Sequence, residues 1–246
     1  MTDAKIWKNL VKAISILIDE GNLKSDVTGL KLRAMDPSHV AMVDFEWPNS
    51  VFSEYLCEEP TEICINFNEM SKFLRRVETD ETIDLSFEPK NAKLKLVLES
   101  KYKRVFSMAT LSPSSEDIPT PNVSFNSIAR ISTLCLKNAI SDASIVSDQI
   151  QFETSIDQLC IKASGDLGTV SVEIERNSEE LLNLEVKQSS KSTFSLNYLA
   201  EMVQAASNLS DIVNVEFSTN MPIRLNFELP QQGKLQYYLA PRIEVR

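Results

Sequence analysis

The chain has one histidine, His39, in the stretch AMDPSHVAMVDF (34–45). A zinc or other metal site would need further ligands, and no second histidine and no nearby cysteine supplies them. A catalytic base would need a nucleophile constellation. No G-x-S-x-G, phosphate-binding glycine loop or H-E-x-x-H occurs anywhere, so an enzyme reading starts poor. Left to composition alone, His39 is a surface histidine. The four cysteines, Cys57, Cys64, Cys135 and Cys160, include no C-x-x-C pair. That spacing excludes a zinc ribbon and a thioredoxin-like motif, and buried free thiols are expected. No run approaches the ~18 apolar residues of a membrane span. The opening MTDAKIWKNL lacks an apolar core with a cleavage site, so no secretory leader is expected. Basic residues are also short, 25 Lys/Arg against 35 Asp/Glu for a net charge of −10. This excludes a surface coated in positive charge but leaves room for a basic stripe on one face.

What is present is ordinary globular material, 43% apolar and 24% charged over 246 residues, enough for one large or two modest domains. The first strong period is KIWKNLVKAISILIDE. At ~100° per residue, Trp7, Leu10, Val11, Ile14, Leu17 and Ile18 share one arc, and Lys5, Lys8 and Lys12 lie opposite. NEMSKFLRRV (68–77) reads as a second helix, with Lys72, Arg75 and Arg76 away from its apolar side. Alternating segments fill most of the first half as strands, with hairpin turns at DVTGLKL and EPKNAKL. The pattern then repeats. STLCLKNAISDA (132–143) and LNYLAEMVQAASNL (196–209) are helix candidates about 60 residues apart, as in the first half. GLKLRAMD and QLCIKASG occupy matching places. The expected fold is α+β, an internal duplication of two domains with helices on one face of antiparallel sheets.

Between the halves, LSPSSEDIPTPNVSF (111–125) carries three prolines, four serines and no helical period, which marks a connector. The expected division is a domain over 1–111, a connector over 112–124 and a second domain over 125–246. Charge is uneven: residues 1–112 hold 15 Lys/Arg against 18 Asp/Glu (−3), and residues 113–246 hold 10 against 17 (−7). The second-half helices offer Lys137 but otherwise Asn138, Ser141, Glu201, Gln204 and Asn208.

LRAMDPSHVAMVDFEWP, DASIVSDQIQFE, IKASGDLG and YYLAPRIE occur in order along the whole chain. On these motifs the sequence resembles the sliding DNA clamps of the proliferating-cell nuclear antigen (PCNA) type, most closely archaeal ones. The resemblance implies a ring of three subunits, a pseudo-six-fold arrangement of domains with sheets outside and helices lining a hole. Double-stranded DNA would thread it without sequence reading, against Lys5, Lys8, Lys12, Lys72, Arg75, Arg76 and Lys137. It implies a partner-peptide pocket of Met35, Ser38, His39, Val40, Met42, Ile118, Pro119, Pro222, Tyr238, Ala240, Pro241 and Ile243. DNA polymerase, flap endonuclease, DNA ligase and the clamp loader would dock there through PIP-type peptides, each with a glutamine, one aliphatic and two aromatic residues. It implies a subunit interface between KYKRVFSMA (Lys101, Lys103, Arg104) and DLGTVSVEIER (Asp166, Glu173, Glu175), joining copies of this chain or paralogous clamp subunits. No cofactor, no metal, no catalysis and no membrane is implied. The location would be the archaeal cytoplasm, with the nucleoid, or a eukaryotic nucleus. A checkpoint-type clamp subunit, a two-domain nucleic-acid-processing enzyme and a non-DNA scaffold are the rival readings.

Overall fold

The computed structural model describes residues 3–113, 118–119 and 121–243. They form two compact units, each interrupted in sequence. Unit 1 is Met1–Pro37, Val43–Pro119 and Leu229–Leu235, and unit 2 is Ser38–Met42, Thr120–Glu228 and Gln236–Arg246.

Unit 1 begins with α1 (Ala4–Ser15), followed by β1 (Glu20–Asp26), β2 (Gly29–Met35), β3 (Ala41–Pro48), whose first two residues fall in unit 2, and β4 (Thr61–Asn66). Helix α2 (Phe67–Leu74) leads to β5 (Thr82–Glu88), β6 (Lys93–Glu99) and β7 (Lys103–Ala109). The strand orders are β3-β2-β1-β4 and β5-β6-β7. The apolar stripe of α1 is buried as its period requires, with Trp7, Leu10, Val11 and Ile14 all at 1% exposure or less. Trp7 stacks on Trp47 of β3, ring centroids 6.0 Å apart, and Phe45 meets Trp47 edge-on at 5.4 Å. Each fully buried side chain of this size contributes about 1.5–3 kcal/mol.

Unit 2 runs β8 (Ser127–Ser132), α3 (Thr133–Ser144), β9 (Gln149–Thr154), β10 (Gln158–Gly165), β11 (Gly168–Glu175), β12 (Leu181–Val186) and β13 (Lys191–Ser195). It continues with α4 (Leu196–Ala206), β14 (Ile212–Phe217), β15 (Ile223–Glu228) and β16 (Lys234–Leu239), the last shared with unit 1. Its strand orders are β12-β8-β14-β15-β16 and β11-β10-β9-β13. Phe152, Phe194 and Phe217 fill its centre, with Phe152 edge-on to each of the other two at 6.0 Å.

The duplication is visible in the numbering. Helices α1 and α3 start at 4 and 133, and α2 and α4 at 67 and 196, each pair 129 residues apart. Strands β2 and β10 start at 29 and 158, the same offset, so GLKLRAMD and QLCIKASG are equivalent segments. The helix starts are built alike. The Ala4 N–H donates to the Glu81 carbonyl at 2.8 Å and Thr133 N–H to Asp211 at 2.8 Å; Phe67 N–H donates to Asp19 at 2.8 Å and Leu196 N–H to Asp148 at 2.9 Å. Asp3, Asn66 and Ser132 side chains cap α1, α2 and α3 by accepting from Lys5, Glu69 and Cys135 N–H.

The helices are shorter than their apolar periods. α1 ends at Ser15, with Leu17 and Ile18 still buried, because the Asp19 carbonyl serves α2 and the chain must leave the helix to deliver it. α2 ends at Leu74, not at residue 77, so Arg75 and Arg76 sit in the turn after it.

Candidate functional site

A groove of about 260 Å³ lies between α1 and α2, lined by Lys8, Lys12, Ser71, Lys72 and Arg75. Lys5, Lys12, Lys72, Arg75 and Arg76 are exposed, and Lys8 is half-buried. The Lys8 ammonium donates to the Arg75 carbonyl at 3.1 Å and to the Val77 carbonyl at 3.0 Å. Lys8 therefore closes the C-terminal end of α2, where carbonyls lack helical partners and a cation is favoured. Its charge belongs to the groove, but its stem and head also hold the two helices together. No carboxylate lines this groove.

The groove between α3 and α4 is of similar size, about 290 Å³, lined by Lys137, Ile140, Ser141, Ser144, Ala200, Glu201, Val203 and Gln204. Of the seven residues expected to face DNA, Lys137 alone is here, and Glu201 shares its groove.

The expected docking residues fall in both units. In unit 2, the Ala240 N–H donates to the Val40 carbonyl at 2.8 Å, which joins the loop Ser38–Met42 to the C-terminal tail. His39 is exposed with φ 55, the left-handed region, as a sharp turn at this point requires. Val40 is 37% and Ile243 76% exposed, with Ala240 exposed and Pro222 and Pro241 half-buried. Met42 (4%) and Tyr238 (7%) are buried, so they support this surface from beneath. The Arg242 N–H donates to the Thr193 carbonyl at 2.7 Å, and its guanidinium meets Asp148 at 3.2 Å, which lays the tail along β13. In unit 1, Met35 and Ile118 are half-buried and Pro119 is exposed. The Ile118 carbonyl accepts from Arg33 at 3.3 Å, and Arg33 is held by Asp44 at 2.9 Å, an anchor for the connector.

Sequence reasoning passed over Arg33 and a second anchor, Arg224. The Arg224 guanidinium lies 4.9 Å from the Phe125 ring and 5.9 Å from the Tyr238 ring, is paired with Glu216, and donates to the Tyr238 hydroxyl at 3.4 Å. The signal available was the alternation of IRLNFEL, which sets Arg224 on the face opposite Ile223 and Leu225.

The two expected interface strands are both sheet ends: β7 closes the order β5-β6-β7, and β11 opens β11-β10-β9-β13. Lys101, Lys103, Asp166, Glu173 and Glu175 are exposed. Arg104 is not directed outward: its Nη2 sits 2.6 and 2.7 Å from the two carboxylate oxygens of Glu81, which is 4% exposed. Among the described residues no three His, Cys, Asp or Glu converge as metal ligands, and no helix is long and apolar enough to cross a membrane.

Two equivalent α+β units, each with a helix pair, antiparallel sheets and an open sheet edge, define the class of two-domain clamp subunits. The sequence profile of the proliferating cell nuclear antigen N-terminal domain matches residues 1–116, and that of its C-terminal domain matches residues 119–242. The chain belongs to the proliferating cell nuclear antigen family. It is 37% identical over 242 residues to DNA polymerase sliding clamp 1 of Pyrobaculum aerophilum, covering 98% of this chain and 96% of that one. It is 35% identical to the DNA polymerase sliding clamp of Thermococcus gammatolerans, with 98% and 96% covered. The crystal structure of PCNA from Thermococcus kodakaraensis superposes with a TM-score of 0.92 at 26% identity, covering 97% of each chain. A chain of the PCNA2–PCNA3 complex of Sulfolobus tokodaii does so with a TM-score of 0.91 at 27% identity, covering 98% of each.

Proposed function

We propose that the protein is a DNA sliding clamp, a ring that encircles duplex DNA without reading its sequence and tethers a DNA polymerase to it. The observation that carries this reading is the α1–α2 groove, which gathers four cations and no carboxylate on a chain of net charge −10. Such a patch attracts phosphates whatever the bases, and the acidic remainder keeps DNA off other surfaces.

The ring closes head to tail, β7 of one copy beside β11 of the next, because unlike edges build a closed cycle when the rotation per subunit fits. Lys101 and Lys103 on one edge face Asp166, Glu173 and Glu175 on the other, and like edges repel. Both signs are present on one chain, so three copies of this chain can close the ring, and a ring with paralogous clamp subunits would use the same two edges. Polymerase, flap endonuclease, ligase and loader dock short peptides on the surface of Val40, Ala240, Pro241 and Ile243. The exposed aliphatic groups there take an aliphatic and two aromatic side chains. The clamp acts as a non-catalytic processivity factor on the archaeal chromosome, in the cytoplasm.

Light scattering over a range of concentrations tests the assembly. The parent is expected at three times the 27.7 kDa of one chain. Lys101→Glu with Lys103→Glu is expected to shift it toward monomer, and adding Glu173→Lys and Glu175→Lys to restore it. A parent that is monomeric throughout, or a doubly reversed edge that still gives an intact trimer at low concentration, contradicts this assembly.

A further inference from the structure

The two helix grooves correspond residue by residue. Adding the 129-residue offset to the lining of the first gives Lys8→137, Lys12→141, Ser71→200, Lys72→201 and Arg75→204, and all five destinations line the second groove. Ile140 and Val203, which line the second groove, are matched by Val11 and Leu74 in unit 1, all four apolar and buried at 2% or less. The rims differ. Lys8 is matched by Lys137, but Lys12 is matched by Ser141, Lys72 by Glu201 and Arg75 by Gln204. Lys5, at the head of α1, is matched by Leu134, which is 63% exposed. The four cations that line the first groove therefore become one cation and one carboxylate in the second, a formal charge of +4 against zero.

We infer that each subunit holds duplex DNA through its α1–α2 groove alone, and that the α3–α4 groove is a neutral wall past which phosphates move without pairing. The inference rests on the clamp reading, in which both helix pairs line the channel. The helix pairs correspond and the two grooves are of similar volume, so their difference toward DNA lies in the charge of their lining. A phosphate released from one first-unit groove then meets a wall with no net attraction before it reaches the next. Contact is three-fold around the ring, not six-fold. A patch is screened over about 10 Å at 0.1 M salt, so the charge of each groove acts locally at working ionic strength.

The test is the salt dependence of binding to a 30-base-pair linear duplex, read by fluorescence anisotropy. Each phosphate contact contributes about 0.9 to the slope of log affinity against log salt. Lys12→Ala with Lys72→Ala and Arg75→Ala should lower the slope by about 1 or more. Lys8 is left in place because it holds α2. Lys137→Ala should leave the slope as in the parent. Ser141→Lys with Glu201→Lys and Gln204→Lys, which copies the first rim onto the second groove, should raise it by about 1 or more. If Lys137→Ala costs as much per residue as the triple alanine variant, both grooves hold DNA and the inference fails while the clamp reading stands. If the grafted cations leave the slope unmoved, the second groove is not a channel wall and the inference fails. If the triple alanine variant itself leaves the slope unmoved, the clamp reading of the first groove fails.

Discussion

Lys8 carries two roles on one side chain. The helical period places it with Lys5 and Lys12 opposite the apolar face of α1, and the structure keeps it there. The carbonyls of Arg75 and Val77 that it also binds lie 67 and 69 residues away, beyond what any period within one helix can indicate. Lys8→Met keeps the apolar stem and removes the donor. It should lower stability by about 1–2 kcal/mol, whereas Lys12→Met should stay within about 0.5 kcal/mol of the parent. Denaturant unfolding compares the two, and equal stability would mean the Lys8 contacts hold nothing. Arg104 shows the same gap in legibility: the family resemblance implies an edge position for it, and tertiary packing delivers Glu81 to it. Arg104→Glu should cost about 3 kcal/mol or more by leaving Glu81 buried against a like charge. The lysines at 101 and 103 are therefore the residues through which edge charge can be reversed without unfolding unit 1. A thermal melt of Arg104→Glu that matched the parent would contradict this.

At the scale of elements, strands were the most legible feature because alternation is local and the turns between them carry their own chemistry. Helix ends were less so. The apolar periods of α1 and α2 run on past Ser15 and Leu74, whereas the chain turns there: the Asp19 carbonyl after α1 accepts from the start of α2, and after α2 the Arg75 and Val77 N–H groups donate to the Lys72 and Leu74 carbonyls. Gly165 is a second case of a constraint that no pattern announces. A Cβ there would stand 1.8 Å from the Val146 carbonyl oxygen, where the turn after α3 crosses the end of β10. Gly165→Ala should destabilise unit 2 by about 1–3 kcal/mol, measured by chemical unfolding, and a neutral outcome would show that the turn yields freely. In the β11-β10-β9-β13 sheet, Glu153 of β9 lies between Lys162 of β10 at 2.5 Å and Lys191 of β13 at 2.7 Å. Hydrogen bonds from Lys162 and then Lys191 hold its carboxyl below the ordinary value of 4.5, against an opposing push from partial burial. A carboxyl depressed in the folded state adds stability that is present above its unfolded value and lost as pH falls through the folded one. Glu153→Gln should therefore be less stable than the parent at neutral pH, with the difference shrinking below pH 4.5. A difference that stays constant with pH would mean that the charge is not what Glu153 contributes.

For the whole molecule, the duplication and the order of elements were legible because repeats and periods survive in the chain as written. The proposed docking surface follows only from the resemblance to a family. Val40 and Ile243 are about 200 residues apart, and no local pattern joins the loop at 38–42 to the tail. Arg224, wedged between Phe125 and Tyr238, is part of what shapes that surface, and its role emerges only from the packed fold. Charge placed on this surface should abolish peptide capture, because a docked aromatic would bury an unpaired carboxylate. Calorimetric titration with one PIP-type peptide should give no binding for Val40→Asp or Ile243→Asp, and a much smaller loss for His39→Ala, which removes an exposed rim group. Parent-like binding by both aspartate variants would take the peptide site elsewhere.

The central claim is that the protein encircles DNA, and topology distinguishes encirclement from adhesion. With the source organism's loader and ATP, the protein is placed on a nicked circular plasmid and the mixture is passed through a sizing column in high salt. The same loaded circle is then cut once with a restriction enzyme and run again. A ring held by topology stays with the circle in salt that screens phosphate attraction, and leaves once the DNA has ends. Equal retention on circle and cut DNA, or equal loss from both, would contradict the account.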